Sequence, residues 1–156
     1  MDAYKHILVA VDLSDDSALI CHKAVEIALQ SQSSILLVHV TEFIYQMSTS
    51  YDPLFYPSME ELAVDEEEIL KLSQTKMNDL INALDVPGDI NLNNKVLPGI
   101  PKTEIVRLAE ENHSDLIVCG SHGRSGFELL LGSTANAILH HAPCDVLAVR
   151  TRKNRE

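Results

Sequence analysis

At 156 residues, 46% hydrophobic and 22% charged, the chain has the size and composition of one well-buried domain, residues 1–156. A formal charge of −11 repels phosphate backbones and argues against nucleic acid as a partner, though a small site can still hold a free nucleotide through main-chain N–H groups. No apolar run approaches the ~18 residues that cross a bilayer, and the opening "MDAYKHILVAVDLS" lacks a secretory pattern, so a cytoplasmic protein without membrane association is expected.

In chain order, "KHILVAVDLS" opens with the near-continuous apolar run Ile7 to Val11, as a central parallel strand covered on both faces would. Beyond Asp12, Ser14 is expected to cap a helix with Asp15 and Asp16 in its first turn. That helix body repeats apolar residues at Ala18, Cys21, Val25, Ala28 and Leu29. "SSILLVHVTE" reads as a second buried strand. "FIYQMSTSYDPLFYPS", residues 43–58, has no clean period and reads as a long loop. Ser58 and Glu61 have capping-box spacing ahead of a second helix, whose Ile69, Met77, Leu80, Ile81 and Leu84 can share a face. "DVPGD" ends it, and the partly polar "INLNNKVLPG" suits an edge or near-edge strand. Pro101 sits near the start of a third helix with Ile105, Leu108 and Ala109 facing inward. "SDLIVCG" and "DVLAVR" are the last two strands. Strands alternating with helices predict an α/β fold: a single open five-stranded parallel sheet flanked by helices on both faces, Rossmann-like in character.

Between those last strands lies "GSHGRSGFELLLGSTANAILHHAPC", with Gly120, Gly123, Gly126 and Gly132 close together. In open α/β sheets, ligands bind beyond the carboxyl ends of the strands, near the switch in strand order. Glycines there let the backbone approach a ligand, and exposed N–H groups with the hydroxyls of Ser133 and Thr134 form an anion nest that suits phosphates. The same glycines also fit a loop that merely turns and caps two short helices, and spacing alone leaves both readings open. The stretch is neither a P-loop nor a GxGxxG fingerprint.

"YKHILVAVDLS", "LLVHV" and "DLIVCGSHGRSGFELLLGSTANAILHHAPCDVLAVR" together resemble the universal stress protein family, across essentially the whole chain and weakest between Phe43 and Asn94. The resemblance implies the adenine-nucleotide-alpha-hydrolase-like variety of this fold. Nucleotide-binding members carry Gly, two residues, Gly, nine residues, then Gly with Ser or Thr. Here Gly120, Gly123 and Gly132-Ser133 match, with eight residues, Arg124 to Leu131, in the second gap. The resemblance implies ATP or ADP as ligand. Asp12 would meet the ribose or a phosphate-bound Mg²⁺. Ala10 and the Val40 backbone would receive the adenine, and Gly120 would lie under the ribose. Gly123, Gly132, Ser133 and Thr134 would hold phosphates, with Arg124 as a flexible helper. It also implies a homodimer formed through the last strand, residues 145–150, in a nucleotide-dependent stress-response regulator that acts on partner proteins. A protein-interaction member that binds no nucleotide and a weak ATPase are the alternatives.

Other chemistry finds little support. Cys21, Cys119 and Cys144 form no CxxC pair, which fits reduced, buried thiols. The seven histidines make no HxxxH or HExxH pattern, and His140-His141 sit where a helix dipole favours cations. No nucleophile elbow or phosphate-transfer lysine is present, so ATP hydrolysis, if any, is expected to be slow and to depend on Mg²⁺ at Asp12.

Overall fold

The computed structural model describes residues 3–42, 59–122 and 131–151, with residues 59–64 as backbone. The 43–58 stretch, the cap at Ser58, Gly123, Arg124 and residues 152–156 lie outside the described residues. The strands are β1 (His6–Ala10), β2 (Ser34–Thr41), β3 (Leu92–Pro98), β4 (Leu116–Gly120) and β5 (Asp145–Val149). Between them run α1 (Ser17–Ser31), α2 (Met59–Leu84), α3 (Pro101–Glu111) and α4 (Ser133–His141). All pairings are parallel, in the order β3-β2-β1-β4-β5. The chain winds outward from β1 to β3, then crosses back to lay β4 on the other side of β1. That reversal puts the switch point between β1 and β4.

The period-two alternation of buried strands divides the core into two layers. Ile7, Val9, Ile35, Leu37 and Val118 join Ile20, Cys21 and Ala24 of α1 and Met77 and Leu84 of α2. Leu8, Ala10, Val38, Val40, Ile117 and Cys119 join Ile105, Leu108 and Ala109 of α3 and Ala135 and Ile138 of α4. Residues 7–10 of β1 are all buried because helices cover both faces, which is why its sequence is continuous rather than alternating in polarity. The partly polar β3 lies at the sheet edge, as its composition suggested, and Gln74 of α2 donates to Asn94 on it at 3.0 Å.

Two local expectations need correction. First, α1 begins at Ser17 and not at Ser14. Its N-cap, Asp16, makes no side-chain cap bond, and no acid occupies the first turn. Ser14 contributes its carbonyl, which accepts the Ser17 N–H at 3.0 Å. Second, the buried face of α1 is Ser17, Ile20, Cys21, Ala24 and Ala28, while Leu29 is 48% exposed. Within this stripe Ile20 packs beneath the bare backbone of Gly120. A Cβ at Gly120 would sit 3.1 Å from Ile20 Cδ1. At the β3–α3 turn Gly99 has φ 147, where a Cβ would lie 2.7 Å from Glu104 Cγ, so this turn requires glycine.

Candidate functional site

The site is built from the tips of the strands at the switch point. Past Ala10 the chain leaves β1 with the Val11 N–H donating to the Val38 carbonyl at 3.0 Å. Asp12 follows, half-buried. Its Oδ1 accepts the Ser14 N–H at 3.0 Å and lies 3.5 Å from the Ser17 hydroxyl, which donates to it. This is an Asx turn, with Asp12 binding its own backbone two residues on. The bonding expected of Ser14 therefore belongs to Asp12, which ties the strand exit to the start of α1. Leu13 sits between them at φ 60, a left-handed conformation rare for a bulky residue.

Across the switch point β4 ends at Gly120. The Ser121 N–H donates to the Val149 carbonyl at 2.8 Å, and the Ser121 carbonyl accepts the Gly132 N–H at 2.8 Å. The Ser121 hydroxyl and His122 Nδ1 are hydrogen-bonded at 2.7 Å, and the Thr151 hydroxyl donates to the His122 carbonyl at 3.5 Å. Gly132 is the N-cap of α4, and among the described residues no side chain caps the helix. The first intrahelical bond is the Asn136 N–H donating to the Gly132 carbonyl at 2.9 Å. The N–H groups of Ser133, Thr134 and Ala135 therefore precede the helix ladder, at the positive end of its dipole. One amide expected to face a phosphate, that of Gly132, is used inside the loop. Among the described residues, the main-chain donors at this end are those of the first helical turn.

Between these two tips lies an apolar floor. Ala10 and Val40 are 8% and 6% exposed and pack in one cluster with Cys119 and Ala135. Residues from four separate elements thus converge at one end of the sheet: Ala10 and Asp12 from β1 and its exit, Val40 from β2, Gly120 from β4, and Gly132, Ser133 and Thr134 at the start of α4. Gly123 and Arg124 lie outside the described residues. Gly120 has a role that its spacing did not reveal, since its missing side chain makes room for Ile20 and for Thr151, whose Cγ2 would be 3.5 Å from an added Cβ. Among the described residues no group of three or more His, Cys, Asp or Glu side chains is placed to hold a metal ion. Burial pushes the Cys21 thiol up to about 12 and that of Cys119 to about 11, so neither is a nucleophile near neutral pH.

Three contributors escaped the sequence reading. His39 is a buried histidine whose Nδ1 donates to the Val11 carbonyl at 2.8 Å, and its only signal was a polar residue inside "LLVHV". Ser121 and Thr151, both buried, brace the β4 exit, and nothing in the local pattern of either marks that contact.

The sequence profile of the universal stress protein family matches residues 3–150. A universal stress protein A homolog of Coxiella burnetii is 37% identical over 149 residues, covering 94% of this chain and 96% of that protein. The structure of the universal stress protein UspA from Lactobacillus plantarum superposes with a TM-score of 0.69 at 28% identity, covering 94% of this chain and 98% of that one. A universal stress protein solved in complex with cAMP superposes with a TM-score of 0.63 at 25% identity, covering 96% of this chain and 99% of that one. No described helix is long and apolar enough to cross a membrane. With this sheet order, these two core layers and matches along nearly its full length, the chain belongs to the universal stress protein family.

Proposed function

We propose that this protein binds an adenine nucleotide, ATP or ADP, at the β1–β4 switch point, and that it is a cytoplasmic, nucleotide-dependent stress-response regulator. The observation that carries this reading is the first turn of α4. Among the described residues no side chain caps its N–H groups, and it stands at the same end of the sheet as the Asp12 turn. A helix N-terminus of this kind favours phosphate. Ser133 and Thr134 add hydroxyl donors, and the floor of Ala10 and Val40 suits a flat, weakly polar base. A related protein of the same fold is known in complex with cAMP, which supports the adenine class.

Asp12 suits ribose hydroxyls, or a Mg²⁺ that arrives on the nucleotide and keeps most of its ligands from phosphate and water. A Mg²⁺ held by protein alone does not fit, because no described carboxylate cluster surrounds Asp12. When bound, such an ion would neutralise phosphate charge. We place no hydrolytic base here, and turnover is expected to be slow. Dimerisation through β5 belongs to the same proposal: the strand is a sheet edge whose Val146, Leu147 and Ala148 are only partly buried.

One observation favours the alternative of a member that binds partners without nucleotide. The Gly132 amide is already bonded to Ser121, as in a loop that closes on itself. Calorimetry with Mg²⁺-ATP and Mg²⁺-ADP, beside native mass spectrometry of the freshly purified protein, separates the two. Binding by the wild type, weakened at least tenfold by Asp12→Ala, supports the nucleotide reading. No heat at millimolar nucleotide and no retained ligand support the alternative, and a strictly monomeric mass spectrum removes the β5 dimer.

A further inference from the structure

The shape of the β1 tip is set from the neighbouring strand. Four non-glycine described residues have positive φ: Leu13, Gln32, Asp85 and His113. Three of them directly follow or nearly follow a helix end, where a left-handed residue is the ordinary way to stop. Leu13 is different. It follows a strand, at the switch point, beside Asp12. A leucine in this region persists only where its surroundings over-determine it, and such residues gather at ligand sites.

Those surroundings can be named. The Asp12 carboxylate holds the Ser14 N–H ahead of the turn, and the Leu13 side chain packs against the core layer under α1. Behind the turn, Val11 is gripped at both ends of its backbone by β2. Its N–H donates to the Val38 carbonyl, and its carbonyl accepts from His39 Nδ1 at 2.8 Å. A carbonyl can only accept, so Nδ1 carries a proton and is the donor. An imidazole thus fastens the last regular residue before the strained turn. The ring is 9% exposed and remote in sequence from its partner.

We infer that His39 is a positioning residue for the ligand site. Acting through the Val11 carbonyl, it holds Asp12, Leu13 and Ser14 in the left-handed turn that receives the ligand. This rests on the nucleotide reading for the identity of the ligand, and it adds a residue to which no ligand contact is assigned.

The experiment compares wild type, His39→Leu and His39→Asn. Leucine fills similar space without a donor, while the asparagine amide nitrogen can stand close to the place of Nδ1. Two quantities are read: hydrogen exchange of the Ser14 amide without ligand, and affinity for Mg²⁺-ADP. His39→Leu should lower Ser14 protection and Mg²⁺-ADP affinity by roughly tenfold each, the scale of one lost hydrogen bond, and His39→Asn should restore most of each. Wild-type Ser14 protection in His39→Leu overturns the inference. So does equal damage in both variants, which would mean that ring volume and not the donor matters. If His39→Leu does not fold, nitrogen-resolved NMR of the wild-type imidazole decides instead, and a ring protonated only at Nε2 overturns the inference. If the wild type binds no Mg²⁺-ADP, the nucleotide reading fails, and the exchange result alone judges the role of His39.

Discussion

The two ends of the sheet are built on different principles. At the amino ends of the strands, polar groups are matched across elements. Asp115 accepts the backbone N–H groups of Lys5 at 2.7 Å and His6 at 3.1 Å, while its own N–H donates to the His6 carbonyl. The Tyr4 hydroxyl donates to Asp145 at 3.0 Å, which raises the tyrosine pKa, and the Ser33 hydroxyl donates to the Tyr4 carbonyl at 2.8 Å. At the carboxyl ends stand a left-handed leucine, a helix start that no described side chain caps, and a glycine pressed against α1. One end ties its strands together through side chains, and the other sets the start of α4 beside a strained turn. In a parallel α/β sheet this polarity separates stability from binding.

The comparison can be broken at either end. The largest effect is expected from Asp115→Ala, which removes the acceptor for two backbone donors. Urea unfolding should show a loss of about 2 kcal/mol, with nucleotide affinity unchanged. A fall in affinity as large as the fall in stability would erase the distinction between the two ends. Leu13→Gly should act the other way. Relief of the left-handed conformation stabilises by about 1–2 kcal/mol, while lost packing and added chain entropy cost about as much. Net stability should stay within about 1 kcal/mol, and affinity should drop several-fold as the turn samples more shapes.

The smallest effect near neutrality comes from the thiols buried between the two ends. Cys21 and Cys119 titrate in the folded protein at about 12 and about 11, against an ordinary value of 9.0, because burial disfavours the thiolate. Their contribution to stability is therefore fully present below pH 9 and is lost as pH rises toward 11–12, where the unfolded chain ionises first. Thermal melts from pH 7 to 10.5 should fall on the alkaline side, and Cys21→Ala should flatten that slope without altering nucleotide binding.

Much of the fold was readable because central parallel strands declare themselves. Ile7 to Val11 and Leu116 to Cys119 are continuous apolar runs, and α3 follows its proline start with Ile105, Leu108 and Ala109 all buried. The face of α1 was less readable because one of its contacts is with a glycine about a hundred residues away. Ile20 lies beneath Gly120, and Leu29 is left in solvent. The convergence of Ala10, Asp12, Val40 and the start of α4 was legible through the family motif and the switch-point rule. The local chemistry was not, because it is made of long-range bonds to main chain. His39 bonds to the carbonyl of Val11, and the Ser121 N–H to the carbonyl of Val149. Backbone carbonyls leave no mark in a sequence.

The residue after β4 has a mechanical consequence. Ser121 grips the outer strand through its N–H, by way of the Val149 carbonyl, and grips the head of α4 through its own carbonyl, by way of the Gly132 N–H. A single amino acid is thus hinged on both sides, like the middle link of a short chain. When β5 shifts sideways, that link must stretch, swing or carry the front of α4 along, so the rim of the sheet and the head of that helix do not move independently.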